Sequence, residues 1–209
     1  MEEKYMRTDK IVLRAVVSTL IAMAVLFGVM LLALCFIFPS TMMQITYNLG
    51  MEKWSVRTAS RAYKTSNEAY YIAFATEVAI GADMYGEVER CGEVLISNER
   101  FVAYCETKDK QLKEDTSYQQ YIYVQVCLAK YRLGKKQQAV DKAFSYIGET
   151  FPENNAVVAV LLTALNADDF DTANTIKTKL TALEMSVAET DKPYLQTMLD
   201  LFDSITTEK

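Results

Sequence analysis

The chain has 209 residues, 51% hydrophobic and 23% charged, with a net charge of −5 and no histidine. A Ser-His-Asp triad, a Cys-His dyad, a His-ligated zinc and a histidine proton shuttle are therefore excluded within one chain. Seven glycines and three prolines are too few for a β-rich fold of many tight turns, and the apolar content is too high for a disordered chain.

Residues 1–14 form a short polar tail in which Lys4, Arg7, Lys10 and Arg14 precede an uncharged apolar run from Ala15 to Phe38. At ~1.5 Å per residue this run reaches roughly 36 Å, enough to cross a ~30 Å hydrocarbon layer as a tilted helix. The run exceeds the ~7–15 apolar residues of a cleaved signal peptide, and no small-x-small site follows it. Leu34 before Cys35 is too bulky for lipoprotein processing. An uncleaved signal anchor is the expectation. Only Lys53 and Arg57 follow within about twenty residues, so the cation bias puts the N-terminus in the cytoplasm and the C-terminal domain outside. Ala24 and Gly28, four apart, would put small residues on one face for packing against another membrane helix.

Residues 39–209 show apolar and small residues at helical spacing and almost no strand-like alternation, so an all-α domain is predicted. Turn signals recur at Asp83–Val88, Gly134–Ala139 and Asp168–Ala173. Ala139 and Ala173 are 34 residues apart, whereas Val88 and Ala139 are 51 apart, which predicts an insertion near 98–114. Leu49-Gly50, with Ser55 as its small position, reads as a degenerate first unit. The apolar residues of 180–205 read as closing helices.

The sequence Asp168-Asp169-Phe170-Asp171-Thr172-Ala173 closely resembles the turn between helix A and helix B of tetratricopeptide repeats, whose period is about 34 residues. Most of residues 45–205 resembles that family in architecture, which implies a membrane-anchored tetratricopeptide-like α-solenoid. Thr76, Cys127 and Leu161 replace the usual helix A glycine, and Lys177 follows Gly92 and Ala143 at the second small position of helix B. The resemblance implies that concave-face residues of the A helices hold an extended peptide or a partner helix. Carried over by position, these include Tyr70, Glu77, Tyr121, Leu128, Tyr131, Arg132, Asn155 and Asn166. Tyrosine is the notable member of this set, because it offers rigid contact area with a polar tip.

Beyond Cys35, the thiols Cys91, Cys105 and Cys127 have no CxxC or metal-site spacing. They read as buried packing residues, or as one disulfide with a free thiol. Asp168, Asp169 and Asp171 lack the ligand ladder of a calcium loop and read as turn and N-cap residues. With 27 acidic against 22 basic residues, no nucleic-acid partner is expected. No metal, cofactor or small-molecule substrate is expected either. The layout resembles bacterial inner-membrane tetratricopeptide proteins of secretion or envelope-assembly machinery, which implies a non-enzymatic scaffold or adaptor with a protein partner, another membrane protein among the candidates. The alternatives are a cytoplasm-facing adaptor of opposite topology and a thiol- or carboxylate-based enzyme.

Overall fold

The computed structural model describes residues 2–112, 117–146, 155–184 and 192–207, and every element among them is an α-helix. In chain order these are α1 (Glu2–Ile37), α2 (Pro39–Asn48), α3 (Glu52–Ser66), α4 (Ala69–Gly81), α5 (Tyr85–Ile96), α6 (Phe101–Leu112), α7 (Tyr118–Arg132), α8 (Lys136–Ser145), α9 (Asn155–Asn166), α10 (Phe170–Glu184) and α11 (Lys192–Thr207). The stretch Val12–Ile37 of α1 is long and apolar enough to cross a membrane and is almost wholly unburied by the rest of the chain. Ala24 and Gly28 lie within it, and a Cβ added at Gly28 would meet no neighbour.

Pro39 sets the end of α1. A proline ring clashes with the helix before it and drives the preceding residue out of the helical region, and Phe38 accordingly sits at φ −126, ψ 62. The bond from Phe38 N–H to the Leu34 carbonyl (2.8 Å) and that from Met42 N–H to the Phe38 carbonyl (3.1 Å) bridge the break. Cys35 is buried there, and the Arg61 guanidinium of α3 lies 3.7 Å from the Phe36 ring centroid. This cation–π contact docks the end of α1 on the helical domain.

The links α2–α3, α4–α5, α7–α8 and α9–α10 share one backbone design. Each contains a left-handed residue: Gly50 (φ 70), Asp83 (φ 51), Gly134 (φ 77) and Asp168 (φ 54). Glycine takes this conformation without steric cost, and a short acidic side chain tolerates it. Each left-handed residue donates its N–H three residues back, as Gly134 does to Tyr131 (2.9 Å), and the next residue donates five back, as Lys135 does to Lys130 (3.0 Å). That pair is a Schellman closure, repeated at Gly50/Met51, Asp83/Met84 and Asp168/Asp169. Five residues after the left-handed position stand Ser55, Val88, Ala139 and Ala173, all buried. The small side chains of Ser55, Ala139 and Ala173 let the second helix of those pairs lie close on the first, and Val88 holds the same position in α5.

Successive helices pack in order from α2 to α5, after which α5 packs directly on α7 and α6 leans on α7 and α4 from the side. Helix α6 lies in the stretch where the longer spacing predicts an insertion. At the α5–α7 crossing, a Cβ on Gly92 would fall on Val126 Cγ2, so glycine permits this approach. Helix α7 also packs on α8 and α9. Its Ile122 and Val126 enter one apolar cluster with Met43, Ile72, Leu95 and Phe101, while Cys127 enters a second with Val140, Leu161, Ile176 and Leu195. Because α7 buries residues on two faces, its apolar residues form no single stripe. Leu195, Met198, Leu199 and Phe202 of α11 close the second cluster.

Candidate functional site

The helical period places Tyr70, Phe74 and Glu77 of α4 on one face. Tyr70 is 40% exposed, meets Tyr71 edge-on with centroids 5.5 Å apart, and lies 6.5 Å from Phe74. Tyr47 of α2 meets Phe74 edge-on at 5.7 Å. From α7, the Tyr118 hydroxyl donates to Glu77 Oε1 at 2.7 Å, and Tyr121 lies 6.2 Å from Tyr118. Helix α6 completes the group, with the Tyr104 ring 5.9 Å from that of Tyr118 and Lys108 Nζ 3.3 Å from Glu77 Oε1. Lys108 also lies 5.9 Å from the Tyr104 centroid and 5.7 Å from that of Tyr118, within cation–π range of both. A cleft of about 330 Å³ continues past Glu77 between Tyr47, Glu52, Phe74 and Gly81.

Electrostatics center this group on Glu77. Burial first, and then the Glu77 charge, raise the phenols of Tyr104, Tyr118 and Tyr121 above their ordinary value. All three therefore stay neutral, offering hydroxyl dipoles and ring faces around one carboxylate. Two glutamates and several aromatic rings make a surface complementary to an ammonium or guanidinium group.

The structure brings Tyr70, Glu77 and Tyr121 of the expected set to this face and sends the others elsewhere. Tyr131 is buried against the second cluster, with its hydroxyl on Asp169, so it offers no free contact surface. Leu128 packs against the same cluster. Arg132 is exposed, but its Nη1 receives no partner from the face; it donates to the Tyr85 hydroxyl at 2.8 Å and lies 3.7 Å from Asp83. Asn166 is exposed at the end of α9, and no ring or hydrogen-bond contact joins it to Tyr70 or Tyr121. The side chain of Asn155 lies outside the described residues. Along α7 itself the split follows from packing, because Tyr118 enters the first cluster and Tyr131 the second.

Sequence reasoning missed Tyr47, Phe74, Tyr104 and Lys108. The i, i+4 pairing of Tyr104 with Lys108 was a usable signal, but it sits in α6, outside the turns from which the site residues were carried over.

A second polar group joins α5 to α7 and to the turn between α7 and α8. Lys130, 5% exposed, lies 2.7 Å from Glu89 and 2.8 Å from Glu93, and Lys135 lies 2.6 Å from Glu89. Burial opposes the Glu89 charge, but the two lysines outweigh it and hold the carboxyl below its ordinary value. Cys35, Cys91, Cys105 and Cys127 are all buried and free. Burial pushes the Cys91 thiol up, and Cys105 and Cys127 to about 12, which is opposite to a reactive thiolate. Among the described residues no three metal-ligating side chains gather.

No protein-family model, curated protein or solved structure matches the chain.

Proposed function

We propose that this chain is a non-enzymatic, single-pass membrane-anchored scaffold or adaptor of tetratricopeptide-like build. It holds a partner segment on the face formed by Tyr70, Glu77, Tyr104, Tyr118 and Tyr121. The repeated Schellman turns, each with a buried residue five positions on that is small in three of the four, support the repeat reading. Helix α1 is the anchor, and the cations at Lys4, Arg7, Lys10 and Arg14 support a cytoplasmic N-terminus with the domain outside.

One observation carries the binding reading: the exposed Tyr70 of α4 and Tyr121 of α7 lie on the face around one carboxylate, Glu77, which the buried Tyr118 hydroxyl holds beside an open cleft. Lys108 on Glu77 illustrates the chemistry that fits, so the partner segment presents a lysine or arginine, from a soluble protein or from a second membrane protein of a secretion or envelope-assembly complex.

A photoreactive benzophenone residue at Tyr70 or Tyr121, in native membranes, tests this reading. Both positions are expected to yield the same adduct, and Glu77→Gln to weaken it, while the exposed Gln137 of α8 yields none. Adducts that are equal at all three positions, or absent from Tyr70 and Tyr121, overturn it. An impermeant thiol reagent on Gln137→Cys in intact cells reads the topology: labelling supports the external domain, and protection until the cells are opened reverses it.

A further inference from the structure

We propose that the cationic face of α3 rests on anionic lipid headgroups of the same membrane that α1 enters, making the α2–α3 hairpin a second membrane contact. This inference rests on the reading of α1 as a membrane anchor. Lys53, Arg57, Arg61 and Lys64 recur at the three- and four-residue spacing that lines one helix face. Lys53, Arg57 and Lys64 are exposed and Arg61 half-buried. Among the described residues none of the four has a carboxylate within ion-pair distance, although Lys130, Arg132, Lys135 and Lys136 on α7, α8 and the turn between them all do. Glu87, which lines a cleft with Lys53 and Arg57 at the start of α5, is taken by the neighbouring Arg90 at 2.5 Å, and Glu52 lines the cleft beside Glu77.

Position selects the occupant. Arg61 lies on the ring of Phe36, in the last turn of α1, where the chain leaves the apolar stretch. An arginine stacked at that level keeps its charge among headgroups while its stem covers apolar surface. Successive cations of the stripe lie ~5–6 Å apart along α3, within the ~8 Å screening length of physiological salt, so they act on the surface together. The hairpin also exposes Ile45, Leu49, Met51 and Trp54, the kind of side chains that settle at a bilayer interface. The chain as a whole carries a charge of −5, so the rest of the domain is repelled by an anionic surface and the stripe sets which side faces it.

Trp54, the single tryptophan, lies three residues before Arg57 and seven before Arg61 and is 39% exposed, so it reports docking without engineering. The full chain is placed in phosphatidylcholine vesicles, with or without phosphatidylglycerol, both carrying a headgroup-level spin-labelled lipid that quenches tryptophan. Stronger quenching in the anionic vesicles is expected, with the excess lost at ~1 M salt, where the screening length is ~3 Å. Lys64→Gln, which leaves the Arg61 contact with Phe36 in place, is expected to lower the docked-to-free ratio about fivefold, the share of one cation near such a surface. Equal quenching in both vesicle types, with the protein inserted, overturns the docking and leaves the face to an acidic protein partner. Protein that fails to float with either vesicle type overturns the anchor reading itself and the docking with it, so the two failures are distinguishable.

Discussion

The Tyr131 hydroxyl donates to Asp169 Oδ2 at 2.8 Å, tying the last turn of α7 to the turn that starts α10. Asp169 also receives Lys136 Nζ at 2.8 Å and Thr172 Oγ1 at 2.7 Å, and its Oδ1 caps α10 through the Thr172 N–H at 3.3 Å. One carboxylate thus joins α7, α8 and α10. Burial disfavours its charge, but Lys136, Thr172 and Tyr131 outweigh that and hold it far below the ordinary carboxylate range. A hydrogen bond to a charged group contributes about 1.5–3 kcal/mol, and since Lys136 and Thr172 remain, Tyr131→Phe should cost about 1.5 kcal/mol. Thermal unfolding of the full chain in detergent measures it, and an unchanged midpoint would remove the tie from the account of stability.

The same carboxylate predicts an acid limb. A group whose folded pKa is depressed adds stability above its unfolded value of ~3.9, and loses it as pH falls below that value toward the folded one. Tyr131 moves the other way: burial first, then Asp169, raise it to about 12, so its contribution holds below ~10 and fades as pH rises through about 12. Denaturation midpoints against pH should show the acid loss weakened in Asp169→Asn relative to the parent.

Lys130 predicts a strong asymmetry within its ion group. Removing one partner of a buried pair costs about 3–5 kcal/mol, because the charge left behind stays desolvated. Lys130→Met keeps the stem but strands Glu89, whose side chain is 13% exposed, and the surviving Lys135 should hold the loss to about 3 kcal/mol. Glu93 is 40% exposed, and Glu93→Gln should cost under about 1 kcal/mol. Equal losses for the two variants would contradict the burial argument.

At the α5–α7 crossing, Gly92→Ala should destabilise by about 1–3 kcal/mol through overpacking on Val126. Val126→Ala on its own opens a cavity, but it also makes room for the added methyl. The double variant is therefore expected to lose less than the two single losses combined, and strict additivity in the cycle would show that the two sites do not meet.

The cysteines should behave as packing residues. In the folded protein Cys91, Cys105 and Cys127 are expected to resist iodoacetamide and to react only on unfolding, with identical mobility on reducing and non-reducing gels. Rapid labelling of any of them in the native state would revive a thiol-based chemistry.

The helices, their turns and the long apolar α1 were legible in the residues because local physics decides them. Gly50, Asp83, Gly134 and Asp168 mark the turns through their tolerance of left-handed backbone, and Ser55, Val88, Ala139 and Ala173 follow at fixed distance because the second helix must come close. The uncharged run after Arg14 needs only its composition to be read as long enough to cross a bilayer. The tyrosine face was only partly legible. Tyr121 and Tyr131 both lie on α7 and look alike in sequence, yet one is exposed beside Tyr118 and the other is buried on Asp169. Their separation depends on α7 packing on α5 and also on α8 and α9, and on α6 delivering Tyr104 and Lys108 from the side. Helical period assigns a residue to a face, but which faces are covered is settled by helices distant in the chain, and that only the tertiary structure decided.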